Sequence, residues 1–154
     1  MAQLNAGDRA PSFNLQDQTG GRVKLSDYKG RKLLLYFYPK ANTSGCTAQA
    51  CAVRDAMPDL SKLQVAAVGI SPDPPEAQKK FDDKNGLGFP LLSDSDHKAA
   101  DAYGVWGEKS MYGRKYQGII RSSFLIDEKG KIAAAWYKVS PKDTVPKAME
   151  ALGG

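Results

Sequence analysis

Two apolar runs constrain this chain more than any other feature: Leu33-Leu34-Leu35-Tyr36-Phe37-Tyr38 and Gln64-Val65-Ala66-Ala67-Val68-Gly69-Ile70. Both are far shorter than the ~20 residues a bilayer requires, and the first ends at Pro39. A run that is apolar at successive positions has to be covered on both faces of a sheet, so residues 32–38 and 64–70 are expected to be buried central strands. Between them, residues 45–56 hold good helix formers and few breakers, with Pro58 marking the end of that helix or a kink in it. A helix thus crosses from one buried strand to the next.

The flanking segments fit the same plan. Residues 13–15 and 23–25 alternate apolar and polar around Thr19-Gly20-Gly21, the pattern of an N-terminal hairpin, and Ser26 to Gly30 forms a short turn. Ser71-Pro72-Asp73-Pro74-Pro75-Glu76 opens a helix that runs to about Asn85-Gly86. Phe89-Pro90-Leu91-Leu92 is a short strand, and Asp94 to Tyr103 a helix closed by Gly104. Ser122–Asp127 and Lys131–Tyr137 pair through Asp127-Glu128-Lys129-Gly130, and Asp143–Leu152 is a last helix. The fold class expected is α/β: a thioredoxin-like fold with a central mixed β-sheet flanked by helices and an N-terminal β-hairpin. Residues 1–154 are expected to form one domain, a length that supports one real core. There is no internal repeat, low-complexity tract or linker.

Composition excludes several functions. With 42% hydrophobic and 25% charged residues the chain reads as an ordinary globular protein rather than a disordered one. The net charge of +5 is spread along the chain, in short pairs such as Lys79-Lys80 and Arg114-Lys115, and not in the basic stripe with interleaved aromatics that nucleic acid requires. Met1 to Asn5 carries no basic segment followed by an apolar stretch, so a cytoplasmic location is expected, with no membrane attachment. Cys46 and Cys51 are too few for a structural disulfide framework, and His97, in the acidic stretch Ser93 to Asp96, reads as a helix-start residue. A zinc site takes about four ligands, so no metal is expected.

The chemistry concentrates in Pro39-Lys40-Ala41-Asn42-Thr43-Ser44-Gly45-Cys46. A buried strand ends at a proline, a polar loop follows, and a cysteine sits in the first turn of a helix. Unpaired N–H groups and the positive dipole end there stabilise a thiolate, the form of sulfur that attacks peroxide oxygen. Thr43 can place its hydroxyl near the sulfur, accepting a proton or donating to a substrate oxygen. Pro39 shields the loop from water and brings no competing N–H.

Pro39-x-x-x-Thr43-x-x-Cys46 resembles the active-site motif of the peroxiredoxins. The flanking Phe37-Tyr38-Pro39-Lys40 and Gly45-Cys46-Thr47 are similar to the subgroup called bacterioferritin comigratory protein, or peroxiredoxin Q. The likeness extends from Gly7-Asp8-Arg9-Ala10-Pro11-Ser12-Phe13 to Gly118-Ile119-Ile120-Arg121-Ser122-Ser123-Phe124-Leu125-Ile126-Asp127. It implies that Arg121 is the fourth catalytic residue beside Cys46, Thr43 and Pro39. An arginine suits that role because it stays protonated and its planar donors can hold an oxygen as negative charge develops. The chain departs from the subgroup at Asn42, Ser44 and Gln49, where Asp, Pro and Glu are common. The loss of the acidic residue at 49 is expected to weaken the hydrogen bonding around the helix start. Tyr38, Trp106, Met111, Tyr112 and Tyr116 either wall the pocket, with the loop from Gly107 to Gly118 nearby, or simply pack.

The resemblance also implies a role for Cys51, which alone would read as a small buried apolar residue. Five residues apart on an α-helix means a rise of about 7.5 Å and a rotation of about 140°. The Cα atoms would then lie roughly 8–9 Å apart, beyond the ~7 Å limit for a disulfide. The first turns must therefore unwind if Cys51 is to resolve oxidised Cys46. The implied activity is reduction of hydrogen peroxide and organic hydroperoxides through a Cys46 sulfenic acid. An intramolecular disulfide with Cys51 follows, reduced by thioredoxin or glutaredoxin, in a monomer without cofactor. Two rivals stay open: a thioredoxin-like disulfide reductase, although that chemistry uses Cys-x-x-Cys, and a non-enzymatic redox sensor.

Overall fold

The computed structural model describes residues 3–153. Nine strands form two sheets. Seven of them make the main one: β1 (Asn14–Gln16), β2 (Arg22–Lys24), β3 (Lys32–Phe37), β4 (Val65–Ser71), β5 (Leu91–Ser93), β8 (Ser122–Ile126) and β9 (Ile132–Trp136). The other two, β6 (Trp106–Met111) and β7 (Arg114–Ile119), pair only with each other. The order across the main sheet is β2-β1-β5-β4-β3-β8-β9. β3 pairs parallel with β4, and β4 with β5, whereas β8 runs antiparallel to β3 and β9 to β8. The N-terminal hairpin pairs Asn14–Gln16 with Arg22–Lys24 and joins the sheet through β5. This is the mixed, helix-flanked sheet of a thioredoxin-like fold.

The apolar run in β3 is explained by what covers it. Leu33, Leu35 and Phe37 point to one side, where they meet Val68, Ile70, Phe124 and the short helix α3 (Lys98–Ala102) through Ala99 and Ala100. Leu34, Tyr36 and Tyr38 point to the other side. There they meet α1 (Ser44–Lys62), α2 (Pro75–Asn85) and α4 (Thr144–Ala151). Gly69 is required where β4 pairs with β3 opposite Tyr36. A Cβ there would come within 2.9 Å of Tyr36 Cζ and 3.0 Å of Tyr38 Cε1, closer than side chains tolerate.

Of the two readings of Pro58, a helix end or a kink, the end is excluded, since α1 continues to Lys62. Pro58 is exposed and gives up one helical hydrogen bond, while Leu60 beyond it is fully buried and Met57 packs in the core, so burial carries the helix through. α3 is shorter than Asp94–Tyr103 because Asp94 acts as a cap from a distance. Its buried carboxylate accepts hydrogen bonds from the N–H groups of Ala99 (3.1 Å) and Ala100 (2.9 Å). The segment Gly107–Gly118, read as a loop, is the two-stranded ribbon of β6 and β7. Tyr112 and Gly113 at its tip have φ of 53° and 77°, the left-handed pair that a two-residue hairpin turn requires.

Candidate active site

β3 ends at Phe37, and the half-buried Pro39 turns the chain into the loop that leads to α1. Asn42 in that loop holds φ of 65° and Thr43 is the N-cap residue, so Cys46 lies in the first turn of the helix. No acidic residue shares that turn, and the positive end of the helix is not offset locally. The thiol of Cys46 is 1% exposed and packs with Tyr36, Tyr38 and Ala50.

Arg121, 75 positions along the chain, precedes β8 and comes to the same point. Its Nη2 donates to Cys46 Sγ at 3.3 Å. Gly45 leaves room for this approach, since a Cβ there would sit 3.3 Å from Nη2. Nη1 donates to Gln49 Oε1 at 2.6 Å, and Gln49 Nε2 donates to Thr144 Oγ1 at 2.8 Å. Gln49 and Thr144 are fully buried. Gln49 thus keeps a hydrogen-bonded link at the helix start, its amide making both bonds without the charge that a carboxylate would bring to the one with Arg121.

Thr43 is exposed, and its hydroxyl donates to the carbonyl of Lys40 at 2.9 Å. With its hydrogen engaged there, the oxygen remains an acceptor for a substrate O–H, which narrows the two roles considered for it. Cys51 lies on the same unbroken helix as Cys46, half-buried, with Sγ 3.9 Å from Asn85 Oδ1; both cysteines are free thiols.

Among the aromatic residues considered for the pocket wall, Tyr38 is buried and donates its hydroxyl to Gln78. Trp106 stacks on His97 with ring centroids 4.0 Å apart. Tyr112 is 98% exposed at the ribbon tip, and Lys109 lies over the ring of the exposed Tyr116. The side chain of Met111 lies outside the described residues. Lys109, not anticipated from the sequence, donates to the Ile119 carbonyl at 2.8 Å. Burial and the charge of Arg121 lower its pKa, with Cys46 acting in the opposite sense. The hydroxyl of Tyr36, in the same cluster as the two cysteines, has no hydrogen-bond partner among the described residues, and burial pushes its pKa well up. Among the described residues no group of three His, Cys, Asp or Glu side chains could hold a metal ion, and no helix is long and apolar enough to cross a membrane.

A thiol in the first turn of a helix, held by an arginine just ahead of the neighbouring strand β8 of a thioredoxin-like sheet, defines a thiol-dependent peroxidase class. The family model for AhpC/TSA matches residues 6–135. Peroxiredoxin Bcp of Escherichia coli (strain K12) is 54% identical over 132 residues, covering 86% of this chain and 85% of that relative. Peroxiredoxin Bcp of Bacillus subtilis (strain 168) is 45% identical over 149 residues, 97% of this chain and 95% of the relative. Among solved structures, a PrxQ variant from Xylella fastidiosa superposes with a TM-score of 0.92 at 32% identity, covering 99% of this chain and 98% of the other. Xanthomonas campestris Peroxiredoxin Q superposes with 0.89 at 33% identity, covering 96% of each. The chain belongs to the AhpC/TSA family, and within it to the peroxiredoxins of the bacterioferritin comigratory protein, or peroxiredoxin Q, subgroup. It is a thiol peroxidase, with a peroxide substrate and a thiol reductant.

Proposed function

We propose that Cys46 is the sulfur that attacks the peroxide and that Cys51 resolves the product. The Cys46 thiolate attacks one peroxide oxygen, the O–O bond breaks, and the sulfur becomes a sulfenic acid while the other oxygen leaves as hydroxide or alkoxide. Arg121 supports this step, because its guanidinium is within hydrogen-bonding distance of the sulfur and can hold the oxygen on which charge accumulates. Thr43 accepts from the substrate O–H, and Pro39, at the head of the loop that carries it, brings no competing N–H. Protonation releases water or an alcohol.

Cys51 then attacks the sulfenic sulfur, its proton leaves with the hydroxyl as water, and a disulfide joins the two. Both cysteines lie on one continuous helix, so the start of α1 must unwind for this step. An external dithiol, thioredoxin or glutaredoxin, restores both thiols by exchange and is itself oxidised. The bacterioferritin comigratory protein of Xanthomonas campestris, a relative of known structure, has alkyl peroxide reduction activity, which supports organic hydroperoxides as substrates here alongside hydrogen peroxide. The protein acts as a monomer.

The observation that carries this reading is the 3.3 Å contact between Arg121 and Cys46 at the head of α1. It is tested by following peroxide consumption with thioredoxin, its reductase and NADPH. Wild type should turn over, Cys46→Ser should be inactive, and Cys51→Ser should complete a first oxidation but not recycle. Normal recycling of Cys51→Ser, with no other thiol supplied, would remove Cys51 from the cycle.

A further inference from the structure

The loop between Pro39 and Thr43 carries the site but belongs to no helix or strand, so something must hold it. Its fixed point is Ala41, whose N–H donates to Asp73 Oδ2 at 2.7 Å. Asp73 lies on the segment between β4 and α2, and makes no ion pair among the described residues. The same oxygen accepts the hydroxyl of Ser71 at 2.7 Å.

Behind it runs a chain of buried polar groups whose direction is set by the Leu92 carbonyl, which can only accept and so fixes the Gln78 amide. Tyr38 O–H donates to Gln78 Oε1, which leaves Gln78 Nε2 to donate to Ser71 Oγ at 2.8 Å and to the Leu92 carbonyl at 2.9 Å. Ser71 Oγ, already an acceptor from Gln78, turns its hydrogen to Asp73. Tyr38, Ser71 and Gln78 are all fully buried. The side-chain hydrogens run from Tyr38 through Gln78 and Ser71 to Asp73, and the Asp73 N–H returns to Ser71 Oγ at 3.2 Å, so Asp73 is tied to this chain at two points. Tyr38 begins the chain and also precedes Pro39, which closes a ring around the loop.

We infer that Asp73 is a positioning residue for the peroxide reaction: it pins the catalytic loop at Ala41 so that Thr43 and Cys46 keep the spacing that the transition state needs. This rests on the assignment of Cys46 and Thr43 to that reaction. The role asks for a hydrogen-bond acceptor and not for a charge, and that separates it from an electrostatic effect on the sulfur. An amide oxygen at position 73 can accept from both Ala41 and Ser71; a methyl group cannot.

The test is the single-turnover rate of Cys46 oxidation by hydrogen peroxide, read by stopped-flow fluorescence in a Cys51→Ser background, with thermal melts as a control for folding. Asp73→Ala should slow the reaction about tenfold to a hundredfold, the scale at which misplaced reacting groups act. Asp73→Asn should restore the rate to within about threefold of the parent, a difference of about 0.65 kcal/mol in barrier. A rate in Asp73→Ala equal to the parent overturns the inference, and so does an Asn variant as slow as the Ala variant. If the parent itself shows no fast oxidation that Cys46→Ser removes, the failure lies with the functional assignment and not with Asp73.

Discussion

At position 49 a neutral amide stands between Arg121 and Thr144. A guanidinium can only donate, so the oxygen of Gln49 must face Arg121 and its NH2 must face Thr144. The amide therefore fixes the guanidinium without cancelling its charge, and the positive charge stays available to the sulfur 3.3 Å from Nη2. Gln49→Leu would take the acceptor from Nη1 and the donor from Thr144 Oγ1, whose hydroxyl would keep only its 3.4 Å bond to the Ser140 carbonyl. The expected cost is about 1–3 kcal/mol of stability, read from the urea midpoint. A slowing of Cys46 oxidation by about tenfold should accompany it as Arg121 loses its orientation. Loss of stability with an unchanged oxidation rate would mean that Arg121 needs no holding.

Among the elements, α1 has the most to do. Bringing Cys51 to Cys46 must release the first turns of the helix, including Gln49 and Ala50, from the cluster beneath. The far end is anchored separately: Leu60 and Met57 pack with Leu34, Leu125 and Ala148 from β3, β8 and α4. Hydrogen exchange of the reduced and disulfide forms should thus differ at one end only. In the disulfide form the amides around residues 46–51 should lose protection, while those of 57–62 keep theirs. Equal protection of the two forms at residues 46–51 would contradict a local unwinding.

The same element separates what was legible in the sequence from what was not. β3 and β4 were readable because both faces of each are covered, which forces continuous apolar runs. The length of α1 was not, because Pro58 is a local stop signal and the buried Leu60 that overrides it acts through tertiary packing. The ribbon of β6 and β7 escaped because most of β7 is exposed on both faces, leaving no alternation to read, and its turn is Tyr112-Gly113 rather than a commoner pair. At the site, Cys46, Thr43 and Pro39 are local in sequence, and Arg121 was found through resemblance. Thr144, Lys109 and Asp73 depend on which strands and helices lie side by side, and nothing near them in sequence announces it.

For the whole molecule, the seven-stranded sheet brings together residues far apart in the chain: the head of α1 after β3, the segment after β4, and Arg121 before β8 all meet at one end of adjacent strands. β3 lies between β4 and β8, so the cysteine that follows it is flanked on one side by the Asp73 contact to its loop and on the other by Arg121. Yet the sulfur is almost wholly covered in the reduced fold, so the proposed reaction requires that a small peroxide gain access to it.

That requirement is the central one, and it can be put to the protein directly by intact and peptide mass spectrometry of the reduced Cys51→Ser variant after one equivalent of hydrogen peroxide. A single oxygen is expected, trapped as a sulfenic acid adduct at Cys46, formed within the mixing time and absent from the Cys46→Ser, Cys51→Ser double variant. Oxygen located elsewhere, or peroxide consumed equally fast by the double variant, would contradict it.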